Sequence, residues 1–414
     1  MKKLLGCLLG LISYCSVFAQ AELAPPFNIK SIQLKSTNTS LVPYFRLGES
    51  MELSFDDLYG DEANYYYTIQ HCDYDWQPSQ LVKSEYLRGF DDIRIQTYEN
   101  SFNTLQIYSH YSLRIPNQQT QLLVSGNYVL TILDEARQPV FSKRFVIYEE
   151  QVSVPVQVRR ARQVADVLEK QNLEFTITSQ NVQFQNPTKN INVLITKNGR
   201  WDEAIYNLKP QYTLGNDMVY RYDKETQFFG GNEYLYFDNK NVRAAVHNVA
   251  KVTSTGDLYE SWLYTNPARA SKGYTYFPDQ NGLFIPSNIN NGNPDIEADY
   301  TWVHFALDAP LYQGKDKVYL AGWFNNYAQT DEYAMDYNKE TGLYEKAVLV
   351  KQGFTNYQYE IRQKNGAIDY KNAVDGNFYQ TENHYYILVY YRETNARYDR
   401  VIGFGHANSQ NMIQ

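Results

Sequence analysis

Short stretches of alternating apolar and polar residues decide the fold. Examples are Ser31-Ile32-Gln33-Leu34-Lys35 and the stretch from Ser142 to Tyr148, which follows Phe141 in FSKRFVIY. Such alternation places apolar side chains on one face of an extended strand. Turn residues such as Asn198-Gly199 and Glu340-Thr341-Gly342 separate the strand-like runs at the spacing of antiparallel β-sandwiches. The sequence therefore predicts an all-β protein.

The composition supports this fold class. The 414 residues include 39 Tyr, 20 Phe and 5 Trp, and aromatic residues fit the pleated, half-buried surface of a sheet. Charged residues make up 20% and hydrophobic residues 43%, which favours a globular chain over a long disordered one. The net charge of -8 leaves no excess of basic residues to neutralise phosphates, so nucleic-acid binding is not expected.

Residues 1–19 have the pattern of a secretory signal peptide. A positive start, Met1-Lys2-Lys3, precedes an apolar stretch from Leu4 to Phe18. Val17-Phe18-Ala19 approximates the small-x-small cleavage pattern, so we expect the mature chain to begin at Gln20. No later run reaches the roughly 18 apolar residues of a membrane helix. The mature chain is expected outside the cytoplasm, without membrane insertion.

The cysteines predict no intramolecular disulfide. Cys7 and Cys15 lie in the signal peptide, which leaves Cys72 alone in the mature chain. Cys15 is a poor candidate for a lipid-modified cysteine, because the bulky Tyr14 precedes it where a small residue is needed.

Changes in the pattern of strand-like and loop-like residues divide the mature chain into three strand-rich blocks, residues 20–150, 151–295 and 296–414. A loop-rich stretch dense in Asn, Gly and Pro, from Phe277 to Pro294, precedes the third block. Only Ala161 to Asn172 carries apolar residues at helical spacing, and it could equally be a loop with one helical turn. We expect three immunoglobulin-like β-sandwiches in series.

The densest set of chemically reactive side chains is His71-Cys72-Asp73-Tyr74-Asp75-Trp76. On a strand, the adjacent His71 and Cys72 point to opposite faces and cannot bind one ion in regular geometry. No glycine-spaced ligand loop follows the aspartates, as a calcium hand would require. The favoured interpretation is a strand from Tyr65 to His71 and then a turn whose aspartates accept hydrogen bonds from backbone amides.

No catalytic template matches the sequence. It contains no G-x-S-x-G elbow, Walker loop, H-E-x-x-H or dinucleotide fingerprint after a strand. Paired carboxylates such as Asp91-Asp92 and Glu149-Glu150 are sequence neighbours, which indicates solvated turns or strand ends. Glycosidase carboxylates can lie far apart in sequence, so an enzyme is disfavoured and stays open as an alternative. No catalytic, cofactor-binding or metal-binding residue is predicted.

Three motifs characterise the third block: VYLAGWFNNY at residues 318–327, Gly342-Leu343-Tyr344-Glu345, and Tyr357-Gln358-Tyr359. In this order they resemble the early-set immunoglobulin-like module related to starch- and glycogen-binding modules. That resemblance implies exposed aromatic rings on which glucose stacks. Tyr327 stands where Trp is usual, which puts the sugar platform in doubt.

Five motifs in the first block occur in one order at close spacing: His71-Cys72-Asp73-x-Asp75-Trp76, Glu85-Tyr86-Leu87-x-Gly89-Phe90, Ser101-Phe102-Asn103-Thr104, Tyr108-x-His110-Tyr111-x-Leu113 and Ser125-Gly126-Asn127-Tyr128. Together they resemble the amino-terminal domain of the type IX secretion system plug proteins of the Bacteroidota. With the next two blocks, the resemblance covers essentially the whole mature chain.

This resemblance implies a monomeric periplasmic protein without cofactors. The partner of the protein would be the outer-membrane β-barrel translocon of the type IX secretion system. The protein would occlude the periplasmic end of this barrel by protein–protein contact. It would do so while the channel is not engaged with the partner barrel on its lipid side. The alternative is a carbohydrate-binding β-sandwich protein of the periplasm or the cell surface.

Overall fold

The computed structural model describes residues 21–36, 40–179, 183–290, 292–312 and 316–412. It is 45% strand and 4% helix, which confirms the predicted all-β fold class and is consistent with serial β-sandwiches. The predicted signal peptide, residues 1–19, lies outside the described residues. Within the described ranges, no helix is long and apolar enough to cross a membrane.

Unit 1 is a sandwich of two sheets, ordered β1-β3-β8-β7 and β2-β11-β10-β4-β6, beside the two-stranded ribbon β5-β9. Its elements are β1 (Ile29–Ser36), β2 (Tyr44–Arg46), β3 (Met51–Asp57), β4 (Tyr66–Cys72), α1 (Lys83–Tyr86), β5 (Leu87–Gly89), β6 (Ile93–Arg94), β7 (Thr97–Asn100), β8 (Ser109–Ile115), β9 (Thr120–Leu122), β10 (Gly126–Leu133) and β11 (Pro139–Tyr148). Between the sheets lies an aromatic and aliphatic core, in which Phe55 stacks on Tyr111 with ring centroids 5.1 Å apart.

Unit 2 begins with the sheet β12-β13-β16-β15, in which β17 also pairs with β13. Its first elements are β12 (Val156–Arg160), β13 (Lys170–Ile177), α2 (Pro187–Asn190), β14 (Ile191–Lys197), β15 (Tyr212–Leu214), β16 (Asp217–Tyr220) and β17 (Gln227–Phe229). The stretch with helical spacing, from Ala161 to Asn172, consists of turns followed by the start of β13. Val164 and Leu168 in it are exposed, so no core holds them in a helix.

Unit 3 packs the sheet β18-β27-β22, with β24 added on β27, against the sheet β19-β20-β23-β26-β25, with β21 added on β23. Its elements are β18 (Leu235–Asp238), β19 (Val249–Ser254), β20 (Tyr259–Leu263), β21 (Asn266–Pro267), β22 (Phe284–Pro286), α3 (Pro294–Glu297), β23 (Tyr300–Asp308), β24 (Lys317–Ala321), a 3₁₀ turn (Trp323–Asn325), β25 (Asp336–Asn338), β26 (Leu343–Lys351) and β27 (Gly353–Arg362). The resemblance of this region to an early-set module stays a prediction.

The carboxyl-terminal strands correct the predicted boundaries of the second and third blocks. After unit 3 the chain returns to unit 2, where β28 (His384–Tyr391) and β29 (Arg400–Asn408) form a sheet with β14, before a last 3₁₀ turn at Ser409–Asn411. Residues 151–295 and 296–414 are therefore not two separate sandwiches. The reason is that β14 has buried residues on both faces and takes its partner strand β28 from far along the chain, with Leu194 opposite Leu388.

Each unit contacts the other two. Units 1 and 2 share one apolar cluster, Tyr44, Cys72, Tyr74, Trp76, Val129, Val146, Leu194, Leu388, Tyr390 and Val401. Units 1 and 3 share a second one, Leu58, Tyr108, Tyr300 and Leu349. Between units 2 and 3, Arg362 pairs with Asp202 at 2.7 Å. Buried contacts of this kind hold the three sandwiches in one arrangement.

Candidate interaction surface

The His71–Trp76 motif lies at the interface between units 1 and 2. Tyr74 and Trp76 are buried there, and the Trp76 ring meets the Trp201 ring of unit 2 edge to face at a centroid distance of 5.0 Å. The Tyr74 hydroxyl donates to the Val193 carbonyl at 3.0 Å and accepts from the Asn207 amide at 2.6 Å. The motif therefore joins two sandwiches.

The aspartates of the motif serve the same turn and interface. The Asp75 carboxylate accepts from the Gln77 amide at 3.1 Å, which confirms the predicted hydrogen bond to a backbone amide. Asp73 accepts from the Asp399 amide at 3.2 Å and pairs with Arg392 at 2.7 Å. Both contacts of Asp73 are made with unit 2.

His71 and Cys72 lie in different surroundings. The His71 ring packs on Tyr128 inside unit 1, and Nδ1 lies 2.8 Å from the Ser79 hydroxyl. Gly126 leaves the space for this ring, because a Cβ there would lie 2.1 Å from Nε2. Cys72 is fully buried in the cluster between units 1 and 2.

Burial sets the ionisation of both groups. It lowers the pKa of His71 to about 4 and raises the pKa of Cys72 to about 12, so each is uncharged at neutral pH. A buried neutral thiol is not a nucleophile. Across the part of the chain that the structure describes, no group of three or more His, Cys, Asp or Glu side chains is arranged to hold a metal ion.

One ring face of Tyr327, the residue that bears on sugar binding, is covered by the protein itself. The Arg200 guanidinium lies 4.0 Å over its ring, and its hydroxyl lies 3.0 Å from that of Tyr234. Another aromatic of unit 3, Trp262, is partly exposed, but His304 stacks on it at a centroid distance of 3.6 Å. Arg200 thus covers one face of the ring on which the resemblance to a sugar-binding module would place glucose.

A buried polar network connects units 1 and 3. Asp56 of β3 and Lys351 of β26 are both buried, and their carboxylate and ammonium lie 2.6 Å apart. The Tyr300 hydroxyl also donates to Asp56 at 2.6 Å, and His110 Nδ1 lies 2.6 Å from its other oxygen. Burial alone would raise the pKa of Asp56, but Lys351 and His110 hold it below its ordinary value.

The strongest candidate for a contact surface, which we call the seam patch, lies beside Asp299 and Gln352, the sequence neighbours of Tyr300 and Lys351. Five large apolar side chains there are each 50–67% exposed: Tyr59, Phe102, Leu105, Ile107 and Ile289. The first four belong to unit 1 and the last to unit 3. Leu105 and Ile289 line one depression, and Ile107 lies against Gly60, next to Tyr59. Phe102 lies on the same loop as Leu105 and Ile107, and exposed apolar residues grouped in this way are typical of protein interaction sites.

The backbone of the seam patch is anchored to unit 3. The Asp299 carboxylate accepts from the amides of Leu105 at 2.8 Å and Gln106 at 3.0 Å. The Phe102 amide donates to the Ile296 carbonyl at 2.8 Å. These bonds fix the loop while its apolar side chains point outward. Sequence analysis identified Ser101-Phe102-Asn103-Thr104 as a motif but did not predict that its surroundings form an exposed apolar surface. The sequence signal for such a surface was the presence of Phe102, Leu105 and Ile107 within an otherwise polar loop.

Comparison with known proteins covers both the first unit and the whole chain. Residues 29–149 match the family model described as the type 9 secretion system plug protein 1st domain. A crystal structure of a hypothetical protein from Parabacteroides merdae ATCC 43184 is similar, with 34% sequence identity and a TM-score of 0.88. The alignment covers 94% of this chain and 98% of that one. No curated protein matches the sequence.

Proposed function

Because the chain belongs to the type IX secretion system plug protein family, we propose that it covers the periplasmic end of the outer-membrane translocon barrel by protein–protein contact. It does so as a monomer, after a signal peptide at residues 1–19 has directed it to the periplasm. The family match over residues 29–149 is the observation that carries this proposal.

Covering a pore requires bulk and rigidity and needs no reactive group. A barrel wide enough for folded cargo leaks small solutes when it stands open, so its cover must not deform. The apolar clusters between units, together with ion pairs such as Lys351 with Asp56, supply this rigidity. We therefore propose a role without catalysis.

The seam patch is the proposed contact with the barrel. Four of its five residues, including Phe102 of the motif Ser101-Phe102-Asn103-Thr104, belong to the matched family domain. A plug has to leave when cargo arrives, so its interface should be of modest size, with a few aromatic anchors contributing most of the binding energy. Tyr59 and Phe102 are the exposed aromatic residues of the patch.

Copurification with the translocon tests this contact. The tagged translocon barrel, solubilised in detergent from cells that lack its lipid-side partner barrel, should retain the wild-type protein and lose the Phe102→Ser variant. Phe90→Ser is the matched control, since Phe90 is a phenylalanine of unit 1 outside the seam patch and is 75% exposed, against 67% for Phe102. Absence of the wild-type protein from the purified barrel would rule out the proposed function. Equal retention of both variants would rule out the seam patch as the contact.

A further inference from the structure

A pocket of about 340 Å³ lies where all three units meet. Unit 1 contributes Ile32 and Leu34 of β1, unit 2 contributes Trp201, and unit 3 contributes Trp323 and Asn326. A ligand in this pocket would touch every sandwich at once. Its volume is within the range of natural ligand sites, which begins near 300 Å³.

Two of the three cations that line the pocket, Lys143 and Arg200, are paired with carboxylates of its walls, and the third, Arg144, lies 4.6 Å over the Trp76 ring. Lys143 donates to the Glu22 carboxylate at 2.9 Å and to the Asn326 side-chain oxygen at 3.1 Å. Arg200 donates from Nε to Asp202 at 3.0 Å. These pairs disfavour a charged ligand, because its charge would have to displace the carboxylate or ammonium group already paired with each residue.

The remaining walls favour an uncharged ligand with a large apolar group. Ile32, Leu34 and the two indole rings form apolar walls. Among the described residues, none accepts a hydrogen bond from the Nε1 of Trp201 or Trp323, and the Gln329 side-chain amide is likewise without a partner. Backbone carbonyls and amides of a peptide could use these groups while an apolar side chain fills the pocket.

An extended segment of the chain itself already lies beside the pocket. Leu23 and Ser142 of β11 exchange two hydrogen bonds: the Leu23 amide donates to the Ser142 hydroxyl at 2.8 Å, and the Ser142 amide donates to the Leu23 carbonyl at 3.2 Å. The Arg144 amide donates to Glu22 at 2.7 Å. Ala21, next along the segment, lines the pocket. On its other side the pocket is bounded by β1, the end strand of its sheet.

We propose that this pocket binds an extended, uncharged peptide segment through one large apolar side chain, and that the segment belongs to a periplasmic part of the translocon barrel. The inference rests on the proposed function and adds a second contact to it, distinct from the seam patch. A saccharide fits less well, because Arg200 covers one ring face of Tyr327 and the aliphatic walls of Ile32 and Leu34 suit an apolar side chain better than hydroxyl groups.

Fluorescence anisotropy tests the proposal with short labelled peptides that tile the periplasmic segments of the translocon barrel from the same organism. At least one peptide should bind the full-length protein. Trp323→Ala should lower the affinity for that peptide at least about tenfold, which is the loss expected when an interface loses an aromatic anchor. Gln329→Trp, at an exposed position on the pocket rim, should do the same by filling the pocket without removing a packed side chain. Trp262→Ala removes an indole outside the pocket and should leave the affinity unchanged.

Failure of every peptide to bind would overturn the inference, as would equal affinity for the wild-type protein and Gln329→Trp. Displacement of a bound peptide by maltoheptaose would reassign the pocket to saccharides. If the protein copurifies with the barrel but binds none of the peptides, this inference is wrong and the proposed function stands. If the protein does not copurify with the barrel, the proposed function is wrong, and the barrel is not the partner.

Discussion

The ammonium of Lys351 in unit 3 lies 2.6 Å from the carboxylate of Asp56 in unit 1, and both groups are buried. Lys351 also donates to the Asp295 carbonyl at 2.7 Å, and the Tyr300 hydroxyl completes the bonds to Asp56. A buried charge is costly without its partner, so this pair penalises any separation of the two units. Asp299, the neighbour of Tyr300 in the sequence, holds the backbone of the seam patch through the Leu105 and Gln106 amides.

Lys351→Met should destabilise the protein by about 3–5 kcal/mol, because it leaves the Asp56 carboxylate buried without its cation. Chemical denaturation followed by circular dichroism measures this loss. The control is Lys346→Met on the same strand. Lys346 pairs with Asp336, which is 85% exposed, so the control should cost less than about 1 kcal/mol. Equal effects of the two substitutions would mean that the buried pair does not hold units 1 and 3 together.

His71 should make the stability depend on pH. Burial lowers its pKa in the folded protein to about 4, whereas the unfolded chain takes up the proton near the ordinary value of about 6.5. Between these values the unfolded state binds more protons, so stability rises with pH and is lost as the pH falls. The loss attributable to His71 is at most about 3 kcal/mol.

His71→Gln isolates this contribution, because glutamine does not titrate. The difference in unfolding free energy between wild type and variant should change between pH 6.5 and pH 4. Glu233, whose pKa burial raises to about 7, titrates in both proteins and cancels from that difference. A difference that stays constant across this range would show that His71 is accessible to protons in the folded state.

The Cys72 thiol should be inert in the folded protein. Burial raises its pKa to about 12, and the thiolate is the form that reacts. A colorimetric disulfide reagent should label it only after denaturation. Cys72→Ser should cost about 1 kcal/mol, as expected for a small buried residue, and should leave binding to the translocon unchanged. Fast labelling of the native protein, or lost binding without lost stability, would point to a functional thiol.

The sequence predicts strands better than it predicts which strands share a sheet. Ser142 to Tyr148 forms β11 as expected. Its run Phe145-Val146-Ile147 does not alternate, because Phe145 and Ile147 face the core of unit 1 while Val146 faces unit 2. The sequence therefore indicated that both faces of β11 are buried, but it did not indicate which unit packs on the second face. In the same way, nothing near Leu194 indicates that its neighbour is Leu388.

The candidate site was predictable only in part. The motif containing Phe102 was found by its resemblance to a family, and the same holds for His71 to Trp76. Their roles differ, since Trp76 is buried between two units and Phe102 is exposed. Local sequence does not separate these cases, because burial between units depends on packing between segments that are distant in the chain.

Residues 151–295 expressed alone should not fold, although the sequence suggested a sandwich there. The fragment lacks β28 and β29, which pair with β14, and with them Tyr385, Ile387, Val389 and Ile402 of the unit 2 core. Two-dimensional amide NMR spectra should show the narrow dispersion of an unfolded chain. Wide dispersion for the fragment, with a cooperative unfolding transition, would contradict the assignment of the last two strands to unit 2.

Outer-membrane permeability tests the central claim most directly. Deleting the gene should increase sensitivity to a bulky antibiotic such as vancomycin, most strongly in cells that also lack the lipid-side partner barrel, while type IX export continues. Complementation with wild type or Phe90→Ser should restore resistance, and Phe102→Ser should restore less of it. Unchanged sensitivity after deletion in both backgrounds, with the translocon barrel present, would contradict the proposal that this protein closes the channel.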